Sequence, residues 1–158
     1  MQTLTILNSK EIKRIRELIT AQFGHFFTTD YAYLKTEKDK LYLINKDVAR
    51  IDWNKLIVDK AGMYFGEDKG NEIRLSKEGT QLLALDARKN KAELKNVVEL
   101  DGEETKRYFL GEDIVKELGA ENRLVLLKYS HDIFGCAKYK EGKILNFMPK
   151  IHRGEVVL

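Results

Sequence analysis

The chain is poor in the residues that build covalent or metal frameworks. It has one cysteine, Cys136, so no internal disulfide can form, and its three histidines, His25, His131 and His152, lie far apart in sequence. No cysteine and histidine cluster has the spacing of a structural zinc site. Proline and tryptophan occur once each, and no low-complexity tract interrupts the sequence. No stretch approaches the roughly 20 apolar residues needed to span a bilayer. Residues 1–17 also lack the apolar run of a secretory signal, so a cytoplasmic protein with no membrane partner is the expectation. What remains is enough for a folded core: 43% of the 158 residues are hydrophobic and 34% are charged. A chain of this length holds one ordinary domain or two small ones.

The net charge of +3 is modest, but its distribution along the chain is uneven. Between Lys95 and Glu121 the acidic residues Glu99, Asp101, Glu103, Glu104, Glu112, Asp113, Glu117 and Glu121 outnumber the basic ones. From Asn122 to Gly154 the order reverses, with Arg123, Lys128, Lys138, Lys140, Lys143, Lys150 and Arg153 opposed only by Asp132 and Glu141. A local excess of basic residues is the footprint of a polyanion partner more than any total charge is.

Periodicity organises the rest. Asn8-Ser-Lys-Glu11 has the form of a helix cap, with Ile12, Ile15, Leu18, Ile19 and Phe23 at helical spacing behind it; this helix should end near Gln22 and stop at Gly24. Tyr31 to Lys35 and Leu41 to Asn45 read as a hairpin. Leu56 to Phe65 and Glu72 to Leu75 read as further strands, with Gly66 to Gly70 as the turn between them. Ser76 can cap a helix carrying Leu82, Leu83 and Leu85. After Asp86 the pattern breaks into a polar stretch, and a domain junction is expected near Lys91. Beyond it come a strand at Asn96 to Leu100 and a helix opened by the capping box Asp101-Gly-Glu-Glu104 and closed by Gly111. Strands follow at Leu124 to Tyr129, Ile133 to Tyr139, Lys143 to Phe147 and Glu155 to Leu158. A short helix followed by closely spaced strands fits a small β-barrel or strongly bent sheet.

Three groups of residues resemble a known family. Lys95-Asn-Val-Val-Glu-Leu100, with the capped helix and Gly111-Glu-Asp-Ile114 after it, resembles the opening of a PUA domain. Leu124 to Tyr129, Ile133 to Lys138, Asn146-Phe-Met-Pro-Lys150 and Arg153 are similar to the end of archaeal PUA proteins related to the ribosome-biogenesis factor Nip-seven. The same residues resemble the PUA-like tail of certain ribosomal RNA cytosine methyltransferases. Lys40 to Ile44, Ala61 to Gly66 and Glu78 to Leu83 resemble the pre-PUA domain of these proteins. The implied fold is α+β, with a mixed α/β pre-PUA domain over residues 1–90 and a PUA-like β-barrel with a short helix over 91–158. The implied partner is RNA, ribosomal or transfer, with ribosome-assembly or RNA-modification proteins meeting the N-terminal domain.

In that frame Lys150, His152 and Arg153 match the family's basic cluster, and Lys128 and Lys138 join them because alternation along their strands turns them outward. Without the resemblance the cluster reads as a solvated charge run. Tyr129 and Tyr139 either stack on unpaired bases or pack inside the barrel. No catalytic constellation, cofactor or metal site is expected. Asp30, Asp52 and Asp59 have no acid–base spacing, and Gly62, Gly66 and Gly70 match neither the dinucleotide fingerprint nor the P-loop. Trp53 is expected to pack in the core or between domains. The methyltransferase relative carries an enzyme on its PUA-like tail, but too few residues precede the tail here for a doubly wound cofactor domain. The expected function is therefore that of a non-catalytic RNA-binding accessory factor. The alternative is a protein-interaction adaptor with weak RNA affinity.

Overall fold

The computed structural model describes residues 3–49 and 62–158; the expected strand residues 56–61 and Asp52, Trp53 and Asp59 lie outside them. The fold is α+β, built on two five-stranded sheets. The first contains β1 (Leu4–Ile6), β2 (Tyr31–Thr36), β3 (Lys40–Asn45), β4 (Met63–Asp68) and β5 (Ile73–Leu75), antiparallel and in chain order. Helix α1 (Ser9–Phe23) joins β1 to β2, the short α2 (Lys46–Ala49) follows β3, and α3 (Lys77–Lys89) follows β5. The second sheet contains β6 (Val97–Glu99), β7 (Ile114–Val115), β8 (Arg123–Tyr129), β9 (Asp132–Lys140) and β10 (Lys143–Leu145), with α4 (Gly102–Phe109) after β6. Its spatial order is β6-β8-β9-β10-β7, with β6 parallel to β8, and it curls into a half-barrel.

The helix ends follow the capping chemistry. Asn8 and Glu11 close a reciprocal capping box on α1, and Gly24 ends that helix in the left-handed region at φ 83°. Asp101 and Glu104 do the same for α4, through bonds of 3.0 and 2.8 Å. Ser76 caps α3 by accepting from the Gly79 N–H. Rather than breaking after Asp86, α3 continues to Lys89, with Ala87 buried and Arg88 and Lys89 placed where the helix dipole favours cations.

Other expectations change in the structure. β4 runs through Gly66 to Asp68, so the turn is shorter than the Gly66 to Gly70 span expected for it. Gly66 serves close packing there: a Cβ on it would lie 2.7 Å from the Arg74 carbonyl oxygen on the adjoining strand. β10 stops at Leu145 because Asn146 turns the chain. Its side-chain amide donates to the Tyr108 and Glu112 carbonyls while its oxygen accepts from the Met148 N–H. Residues 155–158 form no strand, and Val157 is fully exposed. Apolar composition alone does not make a strand. The short β1 and β7 are sheet edges that pairing, rather than local sequence, defines.

The uninterrupted apolar run of β8 has a structural reason. Leu124 and Leu126 enter a core shared with Ile15, Ile19, Phe23, Phe65 and Leu83 of the N-terminal half, whereas Val125 and Leu127 enter a second core with Tyr108, Ile114, Tyr139 and Ile144. A strand covered on both faces reads as continuous hydrophobics instead of alternation. The expected junction at Lys91 falls just after α3, and the first core spans it.

Candidate nucleic-acid interface

The C-terminal basic residues are not presented alike. Pro149 leads into a single 3-10 turn, Lys150–His152. Lys150 is exposed and makes no ion pair among the described residues. His152 is half-buried and turns inward to line a cavity. Arg153 is held back on the fold: its Nε donates to the Met148 carbonyl at 3.0 Å, and its side chain lies against Gly111. Gly111 itself has φ 100°, and a Cβ there would sit 2.8 Å from the Arg153 Cδ. Of the cluster, Lys150 is the cation that faces solvent free of a structural bond.

The two strand lysines also differ. Lys138 is half-buried and paired with Glu72, which precedes β5, at 3.0 Å; its charge ties the two halves together. Lys128 makes no ion pair among the described residues and borders a depression of about 420 Å³ with Arg88, Glu93 and His131. A further pair has no counterpart among the sequence expectations. Lys140 and Lys143 stand directly opposite each other on the β9–β10 hairpin, both exposed. Like charges directly opposite on a sheet are destabilising, and an anion between them relieves that repulsion. The pair follows from the two-residue Glu141-Gly142 turn, both residues at positive φ, which leaves the residues on either side of it facing each other.

The tyrosines separate too. Tyr139 is completely buried, its hydroxyl donating to the Gly119 carbonyl at 2.6 Å and the Arg123 guanidinium lying over its ring. It packs. Tyr129 is half-buried.

Between the two halves lies a partly open, largely apolar cavity of about 200 Å³, lined by Tyr64, Phe134, Gly135, Phe147, Met148 and His152 together with Arg74, Lys77 and Glu78. Cys136 also borders it, and burial pushes its thiol up to about 12, the opposite of an activated nucleophile. No hydrogen bond links Cys136 to His152. Elsewhere His25 is bonded to Asp86 at 2.7 Å. Among the described residues no group of three or more acidic, histidine or cysteine side chains could hold a metal ion. No described helix is long and apolar enough to cross a membrane.

With this half-barrel in place, a comparison with protein families gives one result. Residues 95–153 match the family described as the methyltransferase RsmF PUA domain. The matched segment begins just before β6 and ends at Arg153, so it takes in α4, the second sheet and the 3-10 turn. A PUA domain suggests RNA binding. Among solved structures the chain is similar to a hypothetical protein from the hyperthermophilic archaeon Pyrococcus horikoshii OT3, with a TM-score of 0.56 and 15% identity, over 99% of this chain and 92% of that one. At that identity the likeness concerns the fold, which extends through both halves. No curated protein matches the chain.

Proposed function

We propose that this protein is a non-catalytic RNA-binding accessory factor in ribosome biogenesis or RNA modification, gripping ribosomal or transfer RNA through its PUA segment. The carrying observation is the match of residues 95–153 to a PUA domain. The N-terminal half serves as a pre-PUA unit of the Nip-seven type, docking protein partners and orienting RNA, and the site of action is the cytoplasm. The cations without ion pairs among the described residues on the PUA segment, such as Lys128, Lys140, Lys143 and Lys150, support this reading. Such side chains neutralise phosphates and release counterions, which gives affinity without reading sequence.

Fluorescence anisotropy with a folded ribosomal RNA fragment, across a salt series, tests it. Binding should weaken steeply with salt, and Lys140→Ala, Lys143→Ala and Lys150→Ala together should lower the slope of log affinity against log salt by about 1 for each phosphate no longer neutralised. Lys138→Ala should act on stability instead, because its partner is Glu72. Absence of binding at low salt would reject RNA binding in favour of a protein-interaction adaptor.

A further inference from the structure

The cavity between the two halves has a construction that phosphate binding does not explain. Two β-bulges meet at its walls. In the β8–β9 ladder Leu127 faces Gly135 and Lys128 faces Ile133, which leaves Phe134 as an extra residue. In the β3–β4 ladder Leu41 faces Gly66 and Tyr42 faces Tyr64, which leaves Phe65 extra. Bulges bend a strand and re-aim its side chains, and they concentrate beside functional sites. Here they bring Phe134 and Tyr64 to the same cavity. The start of α3 is fastened beside it: the Ser76 N–H donates to the Phe65 carbonyl, and the Ser76 hydroxyl to the Tyr64 carbonyl, each at 2.9 Å.

The chemistry of the walls is that of a planar ring site. Phe147 carries the Arg74 guanidinium over its face at 4.6 Å. Tyr64, Phe134 and Met148 add apolar surface. The His152 Nδ1 is buried with no hydrogen-bond partner among the described residues, whereas buried polar atoms in folded proteins are almost always paired. Gly135 is buried, yet a Cβ on it would meet nothing within 4 Å, so the space before it is open. The volume of about 200 Å³ lies below the roughly 300–1,000 Å³ of sites for drug-sized ligands, which suits one ring system and excludes a dinucleotide.

Resting on the RNA-binding reading above, we propose that this cavity receives a single unpaired nucleobase everted from the RNA. The base stacks among Tyr64, Phe134 and Phe147, a turn of the His152 ring brings its Nδ1 to a polar edge atom of the base, and the phosphate stays at the mouth beside Lys77, since Arg74 is already paired with Glu67 at 3.1 Å. Recognition of splayed-out bases by aromatic and guanidinium planes with edge hydrogen bonds is how proteins read RNA that a folded duplex hides.

The test uses the full chain and two fluorescein-labelled RNA hairpins, identical except that one carries a single-nucleotide bulge in its stem. The bulged hairpin should bind about tenfold tighter, on the scale of a base–aromatic stack. Gly135→Leu fills the cavity from an open position and should bring the ratio of the two affinities to about one. With 5-iodouridine at the bulge, ultraviolet crosslinking to the unaltered protein should map to Tyr64, Phe134, Phe147, Met148 or His152. Equal affinity of the unaltered protein for both hairpins, a bulge preference that survives in folded Gly135→Leu, or a crosslink outside these residues would overturn the base site while leaving RNA binding intact. If Gly135→Leu does not fold, the crosslink position decides. Binding to neither hairpin at low salt overturns the RNA-binding reading along with the base site.

Discussion

Gly79 and Gly135 are both buried glycines in regular elements, yet an added methyl group meets opposite surroundings at the two positions. At Gly79 a Cβ would lie 2.1 Å from the Phe65 carbonyl oxygen, because α3 is drawn directly onto β4; at Gly135 it would touch nothing within 4 Å. Gly79→Ala should therefore destabilise the protein by about 2–3 kcal/mol in urea unfolding, despite alanine's better helix propensity. Gly135→Ala should change stability by less than about 0.5 kcal/mol. Equal effects of the two substitutions would contradict the close approach of α3. Cys136 gives a second residue-level expectation. Its thiol is buried and pushed up to about 12 by desolvation. It should resist alkylation in the native protein at pH 8 and react readily once denatured. Both properties depend on neighbours distant in the chain. In the sequence Gly79 is visible only as a poor helix residue, and Cys136 only as a thiol without a partner.

Among the elements, α4 depends on its cap in a way already visible in its first four letters. Asp101 and Glu104 satisfy two otherwise unpaired N–H groups of a helix only eight residues long. Asp101→Ala should cost about 1 kcal/mol. Two other carboxylates fasten elements together. Asp86 on α3 accepts from His25 and from the Thr28 N–H and hydroxyl, tying the helix to the chain that follows α1. Asp68 at the end of β4 accepts from Arg14 of α1, from the Gly70 N–H and from Lys35 of β2. Burial opposes ionisation of both carboxyls, but these hydrogen bonds outweigh it and hold each below the usual carboxylate range. A carboxyl lowered in the folded state stabilises above its unfolded value of about 4, and that stabilisation is lost as pH falls through the folded value. Melting temperature should therefore drop on acidification below about pH 4, and Asp86→Asn should lower the neutral-pH value while flattening the acid limb. An acid limb with unchanged steepness in Asp86→Asn would remove this carboxylate as a contributor. Nothing in the spacing of Asp68 or Asp86 marks them, because their partners are up to 61 positions away.

For the whole molecule the decisive feature is the second sheet lying between two cores. Leu126 is buried in the core that also holds Ile15, Ile19 and Leu83. Leu126→Ala should destabilise both halves together, by about 2–5 kcal/mol. Circular dichroism in the far and near ultraviolet should then follow one superimposable transition; two separated transitions would show that the halves unfold independently. The helices α1, α3 and α4, their N-caps, most of the principal strands and the apolar run of β8 were legible in the sequence, since capping, periodicity and uninterrupted hydrophobicity act through neighbours in the chain. The basic excess after Asn122 was legible as well. Which of those cations remain free was not: Lys138 meets Glu72 and Arg153 folds onto Met148. The cavity was equally hidden, because Tyr64, Gly135, Phe147 and His152 acquire a common wall only when the bulged strands and α3 pack against one another. Local sequence determined the elements and the sign of the charge, because both are set by adjacent residues. Tertiary structure alone decided which side chains face solvent, which are spent on ion pairs and which surround an open space, because burial and pairing are properties of the packed chain.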